Sequence, residues 1–104
     1  MREPTYFVLA ALLDGRLHGY GIIKRAAELS DGRVRITAGT LYGAIDRLIE
    51  RGLVAPDGEE IVSGRLRRYY RITGEGERVV AEEAARLRAA SEVVARRLHP
   101  AEAS

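Results

Sequence analysis

The sequence predicts a mainly α fold of the α+β class, with helices followed by one β-hairpin and a long C-terminal helix. Three observations support this prediction. Segments 20–30 and 38–51 carry apolar residues at helical spacing. Strand-like segments on either side of Ser63-Gly64 predict a hairpin. The last helical pattern continues from Gly74 to Leu98, which is longer than a domain of this size needs for its own core.

Composition limits the class of protein. The chain has 104 residues, of which 46% are hydrophobic, as suits one small domain with a modest core. It contains no cysteine, which excludes disulfide frameworks and thiolate zinc sites and predicts a reducing, cytoplasmic location. The longest apolar run, Tyr6 to Leu13, is too short to span a bilayer and does not follow a signal-peptide pattern. We therefore expect no membrane association.

The first third of the chain predicts two helices and a strand. Pro4 suits the first turn of a helix that continues to about Asp14 and stops at Gly15. Because this segment is apolar on every side, we expect it to be buried all round. A second helix is expected over about 20–30. The alternation in segment 33–36 then predicts a short, half-buried strand.

The third helix begins after Thr37, a suitable N-cap, and is expected to run from about Ala38 to Arg51, where Gly52 closes it. Its buried face is predicted to carry Leu41, Ile45, Leu48 and Ile49.

Strand is predicted at 53–54 and 60–62, with a returning strand at 66–72. Thr73 is expected to cap the last helix, and Pro100 to mark the end of ordered structure. This order of elements predicts a winged helix-turn-helix.

The outer face of the third helix has a composition that suits the major groove of DNA. Two exposed glycines one turn apart cost about 1 kcal/mol each relative to alanine, and close approach to a duplex explains that cost. The DNA contacts expected from this helix are Thr37, Gly39, Thr40, Tyr42, Gly43 and Arg47. Two alternatives stay open. Tyr42 could pack half-buried against the second helix, and Asp46 and Glu50 could pair with Arg47 and Arg51.

The hairpin carries a local excess of positive charge, although the formal net charge of the chain is only +2. Segment 63–71 contains four arginines and no acidic residue. Because this hairpin follows the candidate recognition helix, we expect phosphate contacts from Arg65, Arg67 and Arg68. The alternatives are an ordinary solvated face, or a protein-interaction module whose basic hairpin binds an acidic partner.

The last helix carries a coiled-coil seam with alternating steps of four and three residues. Its members are Val80, Ala84, Leu87, Ser91, Val94 and Leu98. This spacing predicts a homodimer, to which Tyr6 and Phe7 of the first helix are expected to contribute. The alternative is a helix folded back on its own domain. Residues 1–73 are thus expected to form the DNA-binding domain, 74–98 the dimerisation helix and 99–104 a disordered tail.

The sequence offers little material for catalysis. His18 and His99 are the two histidines, and neither has a partner at metal-ligand spacing. His18 is expected to provide a hydrogen bond at the start of the second helix. We therefore predict no enzyme activity, no metal site and no cofactor.

The chain resembles the PadR family of bacterial transcriptional regulators. The resemblance lies in a series of motifs that occur in order: LAALLDG at 9–15, HGY at 18–20, GTLY at 39–42, RL at 47–48, RGL at 51–53 and RYYRIT with a later glycine at 68–76. It implies a winged helix-turn-helix that represses transcription as a homodimer on a near-palindromic operator in double-stranded DNA. It also implies release from DNA by a ligand or cellular signal of unknown identity.

Two features depart from the family pattern. Family members often have proline where this chain has Gly43. Relatives that bind planar drugs hold them between aromatic side chains, notably tryptophan, at the dimer centre, whereas this chain has no tryptophan. Only Tyr6 and Phe7 could line such a site, so drug binding is not predicted.

Overall fold

The computed structural model describes residues 1–99. Within them the elements are α1 Glu3–Ala11, a 3-10 turn Leu12–Asp14, β1 Leu17–His18, α2 Gly19–Leu29, α3 Ala38–Glu50, β2 Val54–Val62, β3 Arg65–Ile72 and α4 Gly74–Leu98. This arrangement confirms the predicted α+β winged helix-turn-helix. Of the predicted disordered tail, residues 100–104 lie outside the described part of the chain.

The three strands form an antiparallel sheet in the order β1-β3-β2, with β3 in the centre. The hairpin prediction is confirmed: β2 and β3 pair from Val54 opposite Ile72 to Val62 opposite Arg65. Ser63 and Gly64 both have positive φ, +52° and +76°, which is the conformation of two-residue turns that match strand twist. Strand β1 has two residues, too few to produce an alternation that the sequence could reveal.

The strand predicted at 33–36 is wrong. This segment is irregular and pairs with no strand of the described chain. Its alternation is nevertheless real, because Val34 and Ile36 are buried and Arg33 and Arg35 are exposed. The Val34 N–H donates to the hydroxyl oxygen of Ser30 at 2.8 Å instead of to a neighbouring strand. Alternation here reflects one-sided burial of a loop.

The core lies between the first three helices and the sheet. Its largest fully buried side chains are Leu9, Leu12, Ile22, Leu41, Ile45, Leu48, Val8 and Val54. The expectation that the first apolar segment is buried on every side is wrong for the single chain. Tyr6 and Phe7 of α1 are only partly buried, and Leu13, in the 3-10 turn that follows α1, is 52% exposed. One side of this apolar helix therefore remains available for contact.

Three helices begin with the same hydrogen bond, in which a side chain accepts from the N–H three residues later. Thr37 accepts from Thr40, and Thr73 accepts from Gly76, as predicted. The Nδ1 of His18 accepts from the N–H of Gly21 at 3.2 Å, which confirms its expected role at the start of α2. Each cap satisfies a backbone donor that the helix itself cannot pair.

The first turns of α4 are fixed to the domain. The Thr73 hydroxyl donates to the carbonyl of Gly52 at 2.7 Å, and a Cβ on Gly76 would lie 2.2 Å from the carbonyl oxygen of Leu53. Only glycine allows this close approach. Beyond Glu83 the residues of α4 are exposed, and the molecule measures 60 × 27 × 21 Å. No described helix is both long and apolar enough to cross a membrane.

Candidate nucleic-acid interface

The outward face of α3 is open at its N-terminal half. A Cβ on Gly39 would meet nothing within 4 Å, whereas a Cβ on Gly43 would lie 3.6 Å from Nη1 of Arg47. The opposite face is held by Leu41, Ile45 and Leu48, which are at most 2% exposed. The helix therefore presents a smooth surface around Gly39, and Arg47 extends back over Gly43.

The threonines at the start of α3 interact with each other. The hydroxyl of Thr37 caps the helix by accepting from the N–H of Thr40 at 3.3 Å and donates to the Thr40 hydroxyl at 3.1 Å. The Thr37 hydroxyl already donates its proton to Thr40. The Thr40 hydroxyl therefore has the proton that is available for a new partner.

The side chain of Tyr42 is partly exposed and partly packed against α2. It is 47% exposed, so part of the ring faces solvent beside Gly39. Its hydroxyl lies against the first turn of α2, where a Cβ on Gly19 would come within 2.4 Å of the oxygen. Tyr42 thus packs on the second helix, as one alternative held, and still contributes to the open face.

The acidic residues of α3 do not follow the second alternative. Neither Asp46 nor Glu50 forms an ion pair with Arg47 or Arg51 in the described part of the chain. Asp46 instead faces the wing, where it lines a shallow groove with Arg68 and Tyr70. Burial, with help from neighbouring groups including Tyr42, raises the pKa of the Tyr70 hydroxyl. The C-terminal half of α3 is therefore the less suitable half for a polyanion.

The wing, formed by β2 and β3, carries acids that the sequence reasoning overlooked. Glu60 pairs opposite Arg67, and Glu59 pairs opposite Arg68, with 3.7 Å between Glu59 Oε1 and Arg68 Nε. Arg65 stands opposite Val62 next to the turn, and it has no ion pair among the described residues. Arg65 is therefore a positive charge at the tip of the wing with no acidic residue opposite it.

A groove of about 410 Å³ connects these parts, between the start of α2, the open face of α3 and the wing. Arg65 and Arg67 line it from the wing, and Tyr42 from α3. Tyr20 is a further lining residue that the sequence reasoning missed; it is 71% exposed and stacks on His18 with 6.5 Å between ring centres. Two tyrosines and three arginines, with Arg68 as the third arginine, thus face one concave surface.

The charge state of His18 follows from this position. Burial lowers the pKa of the His18 imidazole, and the neighbouring Arg67 lowers it further, whereas Glu60 opposes the change. The neutral ring keeps the lone pair that Nδ1 needs to accept from Gly21.

The proposed dimer seam lies mostly on the surface. Leu87, Val94 and Leu98 are 44%, 56% and 69% exposed, and Ala84 and Ser91 are also exposed. Val80 differs from its expected place, since it is 5% exposed and belongs to the core of its own domain. The helix does not fold back over its domain, so that alternative is not observed. Tyr6 and Phe7 line a small hollow with Leu87.

The fold and this site define the class of the protein. Helices α2 and α3 form a helix-turn-helix, and the basic hairpin that follows is the wing. In this class the second helix of the pair enters the major groove. Within the described residues no group of histidine, aspartate and glutamate side chains could hold a metal ion.

The chain belongs to the PadR-like family of transcriptional regulators, whose family model matches residues 8–82. It is 34% identical over 76 residues to the transcriptional regulator Rv3488 of Mycobacterium tuberculosis, covering 73% of this chain and 67% of that protein. It is 40% identical over 82 residues to an uncharacterised 37.1 kDa protein of transposon TN4556 from Streptomyces fradiae. That match covers 79% of this chain but only 22% of the relative.

A solved structure has the same fold. Bacillus subtilis PadR, in a complex with operator DNA, superimposes with a TM-score of 0.70 at 20% identity, covering 80% of this chain and 47% of that one. This likeness concerns the fold, whereas the family-model match over residues 8–82 confirms the family resemblance drawn from the sequence motifs.

Proposed function

We propose that this regulator binds a near-palindromic operator in double-stranded DNA as a homodimer and represses transcription. The observation that carries the proposal is the groove in which Tyr42 of α3 and the uncompensated Arg65 of the wing lie together, beside the open face of α3 at Gly39. A slim polar helix fits the major groove, and a cationic wing fits the phosphates beside it. That the Bacillus subtilis relative was crystallised with operator DNA supports the same partner.

The two elements have different tasks in this proposal. The N-terminal half of α3, from Thr37 to Gly43, lies against base edges, with Thr40 as a hydroxyl donor and Tyr42 as a contact at its edge. Arg47 binds a guanine or a phosphate. Arg65 provides the main phosphate contact of the wing, and Arg67 and Arg68 add weaker ones because Glu60 and Glu59 lie opposite them.

Dimerisation along α4 gives the operator its symmetry. The exposed stripe of Leu87, Val94 and Leu98 is apolar, and small residues at Ala84 and Ser91 permit close approach of two helices. Tyr6 and Phe7 on the partly exposed side of α1 extend this surface. A two-fold axis then presents two recognition helices about 34 Å apart, on successive major grooves of one DNA face.

An effector would act through the same interface. A ligand or cellular signal that changes the angle between the two α4 helices would misalign the recognition helices and release DNA. The hollow beside Tyr6, Phe7 and Leu87 is where such a ligand would meet both α1 and α4. We assign it no ligand, and no cofactor or catalytic step is part of the proposal. With DNA as its partner, the protein is proposed to act in the cytoplasm.

DNA binding is tested by fluorescence anisotropy with duplexes from the region upstream of the protein's own gene, followed by footprinting. We expect a protected near-palindrome and a loss of affinity of about 10³–10⁵-fold between 50 and 200 mM salt. Loss of repression from that promoter in a deletion strain tests the direction of regulation. No binding at 50 mM salt would contradict the proposal and favour a module that binds an acidic protein.

The dimer is tested by sedimentation velocity with a matched pair of variants. Val93 and Val94 are adjacent and similarly exposed, at 51% and 56%, but only Val94 lies on the seam. We expect Val94→Glu to produce monomers and Val93→Glu to leave the dimer intact. A wild-type protein that sediments as a monomer at micromolar concentration would contradict the proposed operator geometry.

A further inference from the structure

Arg16 joins the body of the domain to the base of the wing. It lies in the loop immediately before β1. Its Nη1 donates to the backbone carbonyl of Asp57 at 2.9 Å, across 41 positions of sequence. Its guanidinium also stacks on the ring of Tyr69, with 4.4 Å from Cζ to the ring centre. Neither contact has a role in the DNA-binding function proposed above.

Both contacts meet the wing at a β-bulge. Pro56 pairs with Tyr70 and Glu59 pairs with Arg68, so Asp57 and Gly58 together stand opposite Tyr69. Gly58 has a φ of +92°, which a residue with a side chain rarely adopts. A bulge bends its strand and increases the local twist. The direction of the outer wing, residues 59–68, is therefore set at the point that Arg16 contacts.

Tyr69 is held from several sides. The ring of His18 meets it edge-on, with 5.7 Å between ring centres, and the Tyr69 hydroxyl donates to Glu60 Oε1 at 2.8 Å. The residues of the outer wing are mainly exposed, among them Ile61 at 76% and Leu66 at 55%. The outer wing thus has little apolar packing of its own and depends on support at its base.

We propose that Arg16 is a positioning residue that fixes the outer wing at the angle at which Arg65 reaches the DNA backbone. It acts through the bulge and does not itself contact DNA. The planar guanidinium stacks on Tyr69 and donates in its own plane at the same time, a combination that a lysine ammonium cannot reproduce. This inference rests on the proposed DNA-binding function, and its first test is independent of DNA.

The first test measures amide hydrogen exchange of the DNA-free protein. Arg16→Met keeps a long aliphatic stem but removes the stack and the donor. We expect exchange of the amides in 59–68 to accelerate several-fold, with those of the core unchanged. Arg33→Met is the matched control, because Arg33 forms a bidentate ion pair with Glu3 across 30 positions of sequence away from the wing. Unchanged exchange in Arg16→Met would overturn the proposal.

The second test is a double-mutant cycle on operator affinity. We expect Arg16→Met to lower affinity about tenfold in the wild type, as a misdirected wing loses a phosphate contact, and less than twofold in an Arg65→Ala background. Arg16→Lys should restore little of the loss. An equal loss in both backgrounds would show direct contact between Arg16 and DNA and would overturn the positioning role. If wild-type protein binds no DNA, the proposed function fails, while the exchange measurement still decides whether Arg16 orders the wing.

Discussion

The recognition helix and the wing are held in place by different means. Helix α3 is fixed by its buried face, with Leu41 and Ile45 at 0% and 1% exposure, and its outward face carries no ion pair in the described chain. The wing is held by surface contacts such as Arg16 with Asp57 and Arg68 with Glu59. Each exposed polar contact contributes little. The position of α3 is therefore a property of the core, whereas single surface substitutions should redirect the wing.

The largest expected effect is a loss of stability when the buried face of α3 is changed. Leu41→Ala should lower the free energy of unfolding by about 2–5 kcal/mol, because it leaves a cavity beneath α3. Ile61→Thr, at the exposed end of the wing, should change it by no more than about 0.5 kcal/mol. Urea denaturation of both variants measures the difference. Similar losses of stability would mean that the wing is packed as firmly as the helix.

A smaller effect separates the two elements by what they do to DNA binding. Arg65→Ala should lower operator affinity about tenfold and reduce the salt slope by about two in a dimer, equally for specific and non-specific duplexes. Unfolding should be unaffected, since Arg65 is exposed and unpaired in the described chain. Arg68→Ala is the matched comparison and should cost less, because Glu59 already compensates its charge.

By contrast, Arg47→Ala or Thr40→Val should change which duplex is preferred. Titrations with operator and scrambled duplexes at two salt concentrations distinguish these outcomes. If Arg65→Ala and Thr40→Val behave alike, the division between wing and helix is incorrect.

The open glycine should show a conflict between stability and binding. Gly39→Ala is expected to raise the free energy of unfolding by about 0.5–1 kcal/mol, because alanine favours a helix and its Cβ meets no other atom. The same methyl group should weaken operator binding, since it thickens the face proposed to enter the groove. Thermal unfolding and anisotropy measure the two effects.

Gly19→Ala provides the contrast to Gly39→Ala. Its Cβ would collide with the Tyr42 hydroxyl, so that side chain must move and no gain in stability is expected. Stronger DNA binding by Gly39→Ala would show that the open glycine does not serve close approach.

The features of α3 and of the wing also differ in how far the sequence could predict them. The helix caps of Thr37 and Thr73 and the Ser63-Gly64 turn involve residues at most three positions apart, so these roles are visible in the sequence and the structure confirms them. The buried stripe of α3 was equally predictable from its period. The dimer seam and the individual DNA contacts stay predictions.

What could not be predicted depends on register between distant segments. Residues 63–71 include no acidic residue. Antiparallel pairing nevertheless places Glu60 of β2 opposite Arg67 of β3. The bulge that breaks this register, and the bond from Arg16 to Asp57 that supports it, have no local signal in the sequence. Val80 was misplaced for a related reason, because spacing along a helix does not show where the domain ends and the free helix begins.

The smallest expected effect is on the pH dependence of stability, through His18 at the start of α2. Its folded-state pKa is lowered, first by burial and then by Arg67, so the folded protein binds the proton more weakly than the unfolded chain does. The contribution of His18 to stability is therefore complete above a pH of about 6.5, the ordinary histidine value, and decreases as pH falls toward the lowered pKa.

Protonation of Nδ1 would also remove the acceptor for the Gly21 N–H, and such a cap is worth about 1 kcal/mol. His18→Asn keeps a capping oxygen that does not titrate, and every other titrating group stays the same. Urea midpoints between pH 7.5 and 5 should therefore fall more steeply for the wild type than for His18→Asn. Parallel curves, or a wild type that gains stability in acid relative to the variant, would contradict a neutral, cap-forming His18.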